Sequence, residues 1–288
     1  IIYSFILFGL GIVRKMSPSV NSILLIIVIF IGAFSINRIF LSFQGIKKDE
    51  TSTKISKAES TILWMSIAII LSTLLLTSAR LSYDSVAVYF SNAKLTAATH
   101  QIQSYVDDAF FVSSFHTGIL YSAIIQLFGD QAARSFSWIN GVFIIIICMG
   151  LAEKNGINRV GKIITLAILA TSTAFIDLFG DGKIELASTL PILTAIYWLI
   201  SADHSKLNQD YLLAGVFSGF AMIARPYNVI LLGGFIGVYY IASREPLVFW
   251  IKSFLWIAGP IIPLLAAHFL LNWIILGSPT APIDNTLK

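Results

Sequence analysis

Charge is what this chain has least of. Only 12% of its 288 residues are Asp, Glu, Lys or Arg, while 57% are hydrophobic and mean hydropathy is +0.83. A soluble domain carries about 25% charged residues, so too little polar surface remains to cover a water-soluble globule. The composition implies an integral membrane protein. A single cysteine, Cys148, lies in an apolar run and excludes an internal disulfide. Glycine-rich phosphate loops, metal-spaced Cys/His clusters, nucleic-acid motifs, repeats and low-complexity segments are all missing. So is the alternation over about ten residues that marks a membrane barrel. The first residues, IIYSFILFGLGIV, lack both an initiating Met and the basic start and cleavage site of a signal peptide. With no closing element before Lys288, the chain is expected to be part of a longer protein, cut at the front at least.

The apolar runs are long and continuous, which predicts an all-α, polytopic membrane helical bundle. Helices are expected over 1–13, 20–43, 60–78, 135–152, 162–177, 186–201 and 249–275. Gly259-Pro260 and Pro263 are expected to bend the last of these. The run 117–129 is too short to span and should lie at the interface. The stretch YLLAGVFSGFAMIARPYNVILLGGFIGVYYIA is short for two full spans at about 1.5 Å rise per residue. It reads as a sunken helical hairpin with Arg225-Pro226 at its tip. In all, about nine spanning or near-spanning helices are expected, with an outer loop carrying interfacial helices. Residues 1–59 form an N-terminal extra portion with a basic loop, and 60–288 the main membrane module.

Orientation follows from lysines. GIKKDETSTKISKAE carries Lys47, Lys48, Lys54 and Lys57, and the loop after 152 carries Lys154, Arg159 and Lys162. Both are therefore assigned to the cytoplasmic side of the cell membrane. Arg14 and Lys15 then fall outside, against the rule. Trp64, Trp198 and Trp250 fall at inner ends and Trp138 and Trp273 at outer ends, as an aromatic belt requires, while Trp256 has no such place.

With that topology Asp84, Asp107, Asp108, Asp130, Asp177, Asp181, Glu185 and Asp284 all lie on the outer side, with Arg225 and Lys183 among them. Ions near hydrocarbon pair or line a cavity, so one outward-facing cavity is expected. Carboxylates with a cation suit the attack of a hydroxyl on a glycosyl phosphate: the carboxylate takes the proton and the cation, or a metal, steadies the departing phosphate. Each residue also has a purely structural reading. Asp84 can cap a helix, Asp107-Asp108 can mark a solvated turn, Asp177 and Asp181 can be loop residues, and Glu185 can sit at a helix start for the dipole. Arg225 can snorkel. His100 and His116 read as interfacial residues, and His268 and Asn272 as helix–helix hydrogen-bonding groups.

The order of these segments resembles the polyprenyl-phosphate-dependent membrane glycosyltransferases of the GT-C fold, in the branch of protein mannosyltransferases and lipid A aminoarabinose transferases. YDSVAVYF, 83–90, looks like that group's first-loop motif, with Phe90 where His is usual. SSFHTGILYSAIIQLFG, 113–129, resembles the next segment, with His116 in place of Pro. GDGKIEL, 180–186, resembles the outer loop with an acid before a helix, here Glu185 rather than Asp. LLAGVFSGFAMIARPYNVILL resembles the short hairpin with a basic tip, Arg225. NWIILGSPTAP, 272–282, resembles a later segment, with Ser278 replacing Asn.

What the resemblance implies is an inverting transferase moving a sugar from a polyprenyl-phosphate donor to a hydroxyl of a lipid, glycan or protein on the extracytoplasmic face. Asp84 would be the base or a metal-site carboxylate, Glu185 a second acid, and Arg225 the phosphate cation. Lys183, Asp107, Asp108 and Tyr83 would contribute to substrate binding. A divalent cation is the one cofactor this chemistry leaves open, and no metal ligand set is legible; no nucleic-acid partner is expected.

The alternatives are a transporter, flippase or polymerase of lipid-linked glycans, and a non-catalytic scaffold. A transporter should hold its ionisable groups near mid-membrane among broken helices, and a scaffold leaves Asp84 and Arg225 without a purpose. Cysteines placed at Ser113 and at Ser205 test the orientation. Only the former should react with an impermeant thiol reagent added outside; the opposite pattern inverts the topology and removes the site.

Overall fold

The computed structural model describes residues 6–7, 10, 15–28, 55–78, 89–102, 115–225, 227–243 and 245–279. Tyr83, Asp84, Asp107, Asp108 and Asp284 lie outside the described residues, as do Arg14, most of the expected helices 1–13 and 20–43, and Lys47, Lys48 and Lys54. The described residues contain no strand. Their helices are α1 (Pro18–Val28), α2 (Lys57–Ser72, continued by a 3-10 turn Thr73–Ser78), α3 (Ser91–Thr99), α4 (Phe115–Phe128) and α5 (Asp130–Lys154). They continue with α6 (Arg159–Thr171), α7 (Thr173–Asp181), α8 (Glu185–Ser205), α9 (Asn208–Ala224), α10 (Asn228–Ser243) and α11 (Leu247–Leu276).

Four of these are long and apolar enough to cross a membrane, or five if the bent pair α6–α7 is one span. That is fewer than the nine spanning or near-spanning helices expected. The difference has two sources. Part of the expected set falls outside the described residues. Within them, α9 and α10 are helical but short: α9 has 17 residues and α10 has 16, a reach of about 25 Å each.

Local chemistry sets the boundaries. Ser56 and Glu59 form a reciprocal capping box at the start of α2, with Ser56 N–H donating to Glu59 Oε2 at 2.9 Å. Asn158 accepts from the Gly161 N–H at 2.9 Å and starts α6. The single helix expected over 162–177 is instead broken at Ser172, and its halves meet at 61°. Ser172 is extended (φ −71°, ψ 107°), within the run Thr171-Ser172-Thr173. Thr171 Oγ1 bonds back to the Ala167 carbonyl at 2.7 Å, the competition by which hydroxyl side chains weaken a helix ladder. Pro260 and Pro263 lie inside α11 without ending it.

The outer surface is apolar, unlike that of a soluble protein. Ile230, Ile241, Val248 and Leu75 are among many large apolar side chains standing exposed, each by more than three-quarters. Buried beside an apolar core are Ser66, Ser122, Ser137, Ser188, Ser218, Asn228 and Ser253. Such continuous apolar exposure fits a lipid surround, where small and weakly polar residues mediate helix contact. The bundle has two linked halves. In one, Ile70, Ile144, Ile145, Leu166, Phe179 and Leu186 join α2, α5, α6, α7 and α8. In the other, Leu199, Tyr211, Ala214, Tyr240 and Ile257 join α8 to α9, α10 and α11. Between the first pair, Trp138 Nε1 donates to Thr73 Oγ1 at 3.0 Å, tying the start of α5 to the end of α2. The hairpin expected from α9 and α10 is real in sequence order, but α9 packs mainly between α8 and α11.

Charges sort to the two ends. At one end Arg159 pairs with Glu59 at 3.3 Å, and Lys206 bridges Asp203 at 3.0 Å and Glu245 at 2.9 Å. The Glu245 bond leads in holding the Lys206 ammonium above its ordinary range. Lys57, Lys154 and Lys162 share this lysine end. The opposite end carries Arg134, Asp181, Lys183, Glu185 and Arg225, and is called the Glu185 end. Lys15 belongs to it as well. Gln126, two residues before α4 stops, donates to the Met16 carbonyl at 3.1 Å and accepts from Asn21. The exception that the alternation of helices forces on the lysine rule is therefore part of the packing.

Contact between α9 and α11 depends on Gly215. A Cβ there would stand 2.1 Å from the Ile257 carbonyl oxygen and 2.7 Å from the Pro260 ring. Backbone cannot yield as a side-chain tip does, so G215A should destabilise by about 1–3 kcal/mol. Gly233, in α10 with open space around it, is the control: G233A should be neutral or stabilising by up to about 1 kcal/mol. Thermal unfolding of both in detergent checks the contrast, and equal midpoints contradict the close approach.

Candidate functional site

The Glu185 end is built around the turn from α7 to α8. Gly182 stops α7 in the left-handed region (φ 73°), and a Cβ there would lie 2.3 Å from the Phe90 ring. Phe90 is buried and stacks on Tyr121 with ring centroids 5.3 Å apart. Tyr121, fully buried, donates its hydroxyl to the Lys183 carbonyl at 3.2 Å. Burial pushes this phenol above its ordinary range, so it stays a donor. From α5, Arg134 directs Nε and Nη2 onto the Gly180 carbonyl, both at 3.2 Å, and Ser137 donates to the Leu178 carbonyl at 3.1 Å. The last carbonyls of α7, which no helical N–H can reach, are thus satisfied by α5. The turn is held from three sides, by α4, by α5 and by the residues leading into α3.

On and against that turn stand the charged groups. Glu185 opens α8 and Arg225 closes α9, and their side chains meet at 2.6 Å, Arg225 Nη2 donating to Glu185 Oε1. Arg225 is extended (φ −151°, ψ 122°), as a residue preceding proline prefers. It also donates Nη1 to the Tyr227 hydroxyl and lies over the Tyr227 ring, 5.4 Å from its centroid. Burial works against the guanidinium charge, but the Tyr227 bond and the Glu185 carboxylate outweigh it and Arg225 is held firmly cationic. Lys183 pairs with Asp181 at 3.3 Å. Glu185 Oε2 is buried and has no hydrogen-bond partner among the described residues, an expensive state for a carboxylate oxygen.

Of the residues singled out in the sequence, the structure brings Glu185 and Arg225 into direct contact and sets Lys183 two residues away on the same turn. Asp84, Tyr83, Asp107 and Asp108 are outside the described residues. Phe90, the end of the 83–90 motif, packs on Gly182, so that motif's described end reaches the turn. Where the resemblance expects a His, Phe90 fills an aromatic core position. Asp130 pairs with Lys94 at the edge, both about half exposed, and Asp177 is exposed on α7. His268 and Asn272 bond to each other within α11, at 3.2 Å.

Sequence reading did not single out Arg134, Tyr121 or Tyr227. A cation in the first turns of an apolar helix, where the dipole disfavours it, was the available signal for Arg134. Among the described residues no group of three or more His, Cys, Asp or Glu is placed to hold a metal ion. Chemically, the site offers one well-anchored guanidinium, one half-satisfied carboxylate and a second ion pair, at one end of an apolar bundle.

Comparison with family models, with curated proteins and with solved structures gave no match. The assignment therefore rests on residues and geometry.

Arg134 holds the turn, so replacing it by an apolar side chain of similar length should loosen it. R134M leaves the Gly180 carbonyl without its donors, at a cost of about 1–3 kcal/mol. The expected result is a lower unfolding midpoint in detergent; an unchanged midpoint refutes the role given to this contact.

Proposed function

We propose that this chain belongs to an integral membrane glycosyltransferase. It would move a sugar from a polyprenyl-phosphate donor to a hydroxyl acceptor at the extracytoplasmic surface. The observation that carries this reading is the gathering of Glu185, Lys183 and Asp181 on the α7–α8 turn with Arg225 set against them from the end of α9, at the end of the bundle opposite the lysines. The Phe90 end of the 83–90 motif sits against the same turn. A cation anchored where apolar helices end suits a lipid-borne phosphate, whose isoprenoid tail stays among the helices while its charge does not.

In the reaction, the acceptor hydroxyl oxygen attacks the anomeric carbon of the sugar. The bond from that carbon to the phosphate oxygen breaks, and the configuration inverts. Asp84 takes the hydroxyl proton as the bond forms. Polyprenyl phosphate leaves with the electron pair, its added charge stabilised by Arg225. Glu185 is the second acid, and Lys183 stands at the margin of the same charge cluster. Tyr83, Asp107 and Asp108 are assigned to substrate binding by the resemblance alone.

A transporter of lipid-linked glycans is the second reading, and one observation favours it: the α6–α7 pair is bent by 61°, as in a broken span or a re-entrant segment. Against it, the ion pairs sit at the two ends of the bundle and not at mid-length.

Transfer decides between them. Given a radiolabelled polyprenyl-phosphate sugar and acceptor membranes, the wild-type protein should incorporate label. D84N should lose about a hundredfold or more of that rate while keeping its unfolding midpoint. Equal rates for a folded D84N and the wild type would remove Asp84 as the base, and no transfer at all by the wild type would favour the transporter.

A further inference from the structure

The Arg225–Glu185 pair is short but incomplete. Only one guanidinium nitrogen and one carboxylate oxygen take part, at 2.6 Å. The other carboxylate oxygen, Oε2, is buried without a partner among the described residues. Engagement through both oxygens is the stronger geometry for such a pair, and this pair does not use it. The two residues are also unequally shielded: the Arg225 side chain keeps 17% of its surface exposed and Glu185 keeps 32%. Neither partner is sealed from the surface, so an anion can reach the pair. Tyr227 holds the other terminal nitrogen of Arg225, so the guanidinium stays in place when its carboxylate partner leaves.

We infer that Glu185 is an internal competitor for Arg225, displaced when a phosphate group binds there. This rests on the reading of Arg225 as the donor's phosphate cation and adds a consequence to it. A phosphate presents several oxygens to the guanidinium where Glu185 presents one. Its arrival frees the whole Glu185 carboxylate, now at the start of α8 beside the bound phosphate. The second acid of the site thus becomes available only once the lipid-borne phosphate is in position. In the absence of that phosphate, Arg225 is neutralised, which lowers the cost of holding a cation at the edge of an apolar bundle. The neighbouring Lys183 is paired with Asp181 at 3.3 Å, so the site carries two internally balanced ion pairs.

Binding measures this directly. The purified protein in lipid nanodiscs is titrated with an isoprenoid monophosphate, with the matching isoprenoid alcohol as the uncharged control and inorganic phosphate as a lipid-free probe. E185Q, which removes the competing charge, should bind the isoprenoid monophosphate about tenfold more tightly than wild type, the weight of one charge-assisted hydrogen bond. R225Q should weaken it by at least as much, and the alcohol should show neither change. E185D keeps the charge but withdraws it by one methylene. It should tighten binding with the same sign, which covers the case of an E185Q protein that does not fold. The same order of affinities with inorganic phosphate also supports displacement. Unchanged or weaker binding by E185Q and E185D, with R225Q still weakened, overturns the competition and leaves Arg225 as a phosphate site. No response to R225Q overturns both.

Discussion

In a bundle this apolar an ion has to find its polar partners within the protein, and that requirement orders the two ends of the structure. Pairs form where helices end, because only there do acids and bases from different helices come within reach without being drawn into the apolar middle. Arg159 with Glu59 and Lys206 with Asp203 and Glu245 close one end; Arg225 with Glu185 and Lys183 with Asp181 close the other. Each of these pairs is partly exposed and contributes little by itself. Their collective effect is to fix which helix ends are neighbours.

Between the two ends the helices associate without a hydrophobic drive of the aqueous kind, since large apolar side chains face both the core and the surround. Close approach does the work instead. Gly215 admits the Ile257 backbone and Gly141 admits the Phe179 ring, so α9 meets α11 and α5 meets α7 at short range. Buried hydroxyls satisfy carbonyls of their own helices or of neighbours, as Ser137 does for Leu178 and Ser253 for Phe249. The candidate site inherits its rigidity from this arrangement. Phe90, Tyr121 and Arg134 hold the backbone of the α7–α8 turn, and the charged side chains on the turn are left to interact with what comes from outside the bundle.

Much of this was legible in the residues. The low charge and unbroken apolar runs specify an all-helical membrane bundle, and the break at Arg225-Pro226 falls between α9 and α10. The helix expected over 186–201 is observed as Glu185–Ser205, and that over 249–275 as Leu247–Leu276. The break at Ser172 was not legible, because Thr-Ser-Thr inside an apolar run is tolerated by a straight helix as often as it bends one. Glu185 and Arg225 were each visible as an ion where none is expected. That they answer each other was not, since 40 residues separate them. Arg134 and Tyr121 escaped notice for a related reason. Their function is to satisfy particular carbonyls, and a carbonyl leaves no mark in a sequence.

The sequence by itself determined the solvent of this protein, its helical class and the places where chain direction reverses, because these follow from the transfer energetics of runs of side chains. Only the tertiary structure decided which of the scattered ions meet, and which acid Arg225 holds. Those choices depend on distances between helix ends, and such distances exist only once the helices have packed.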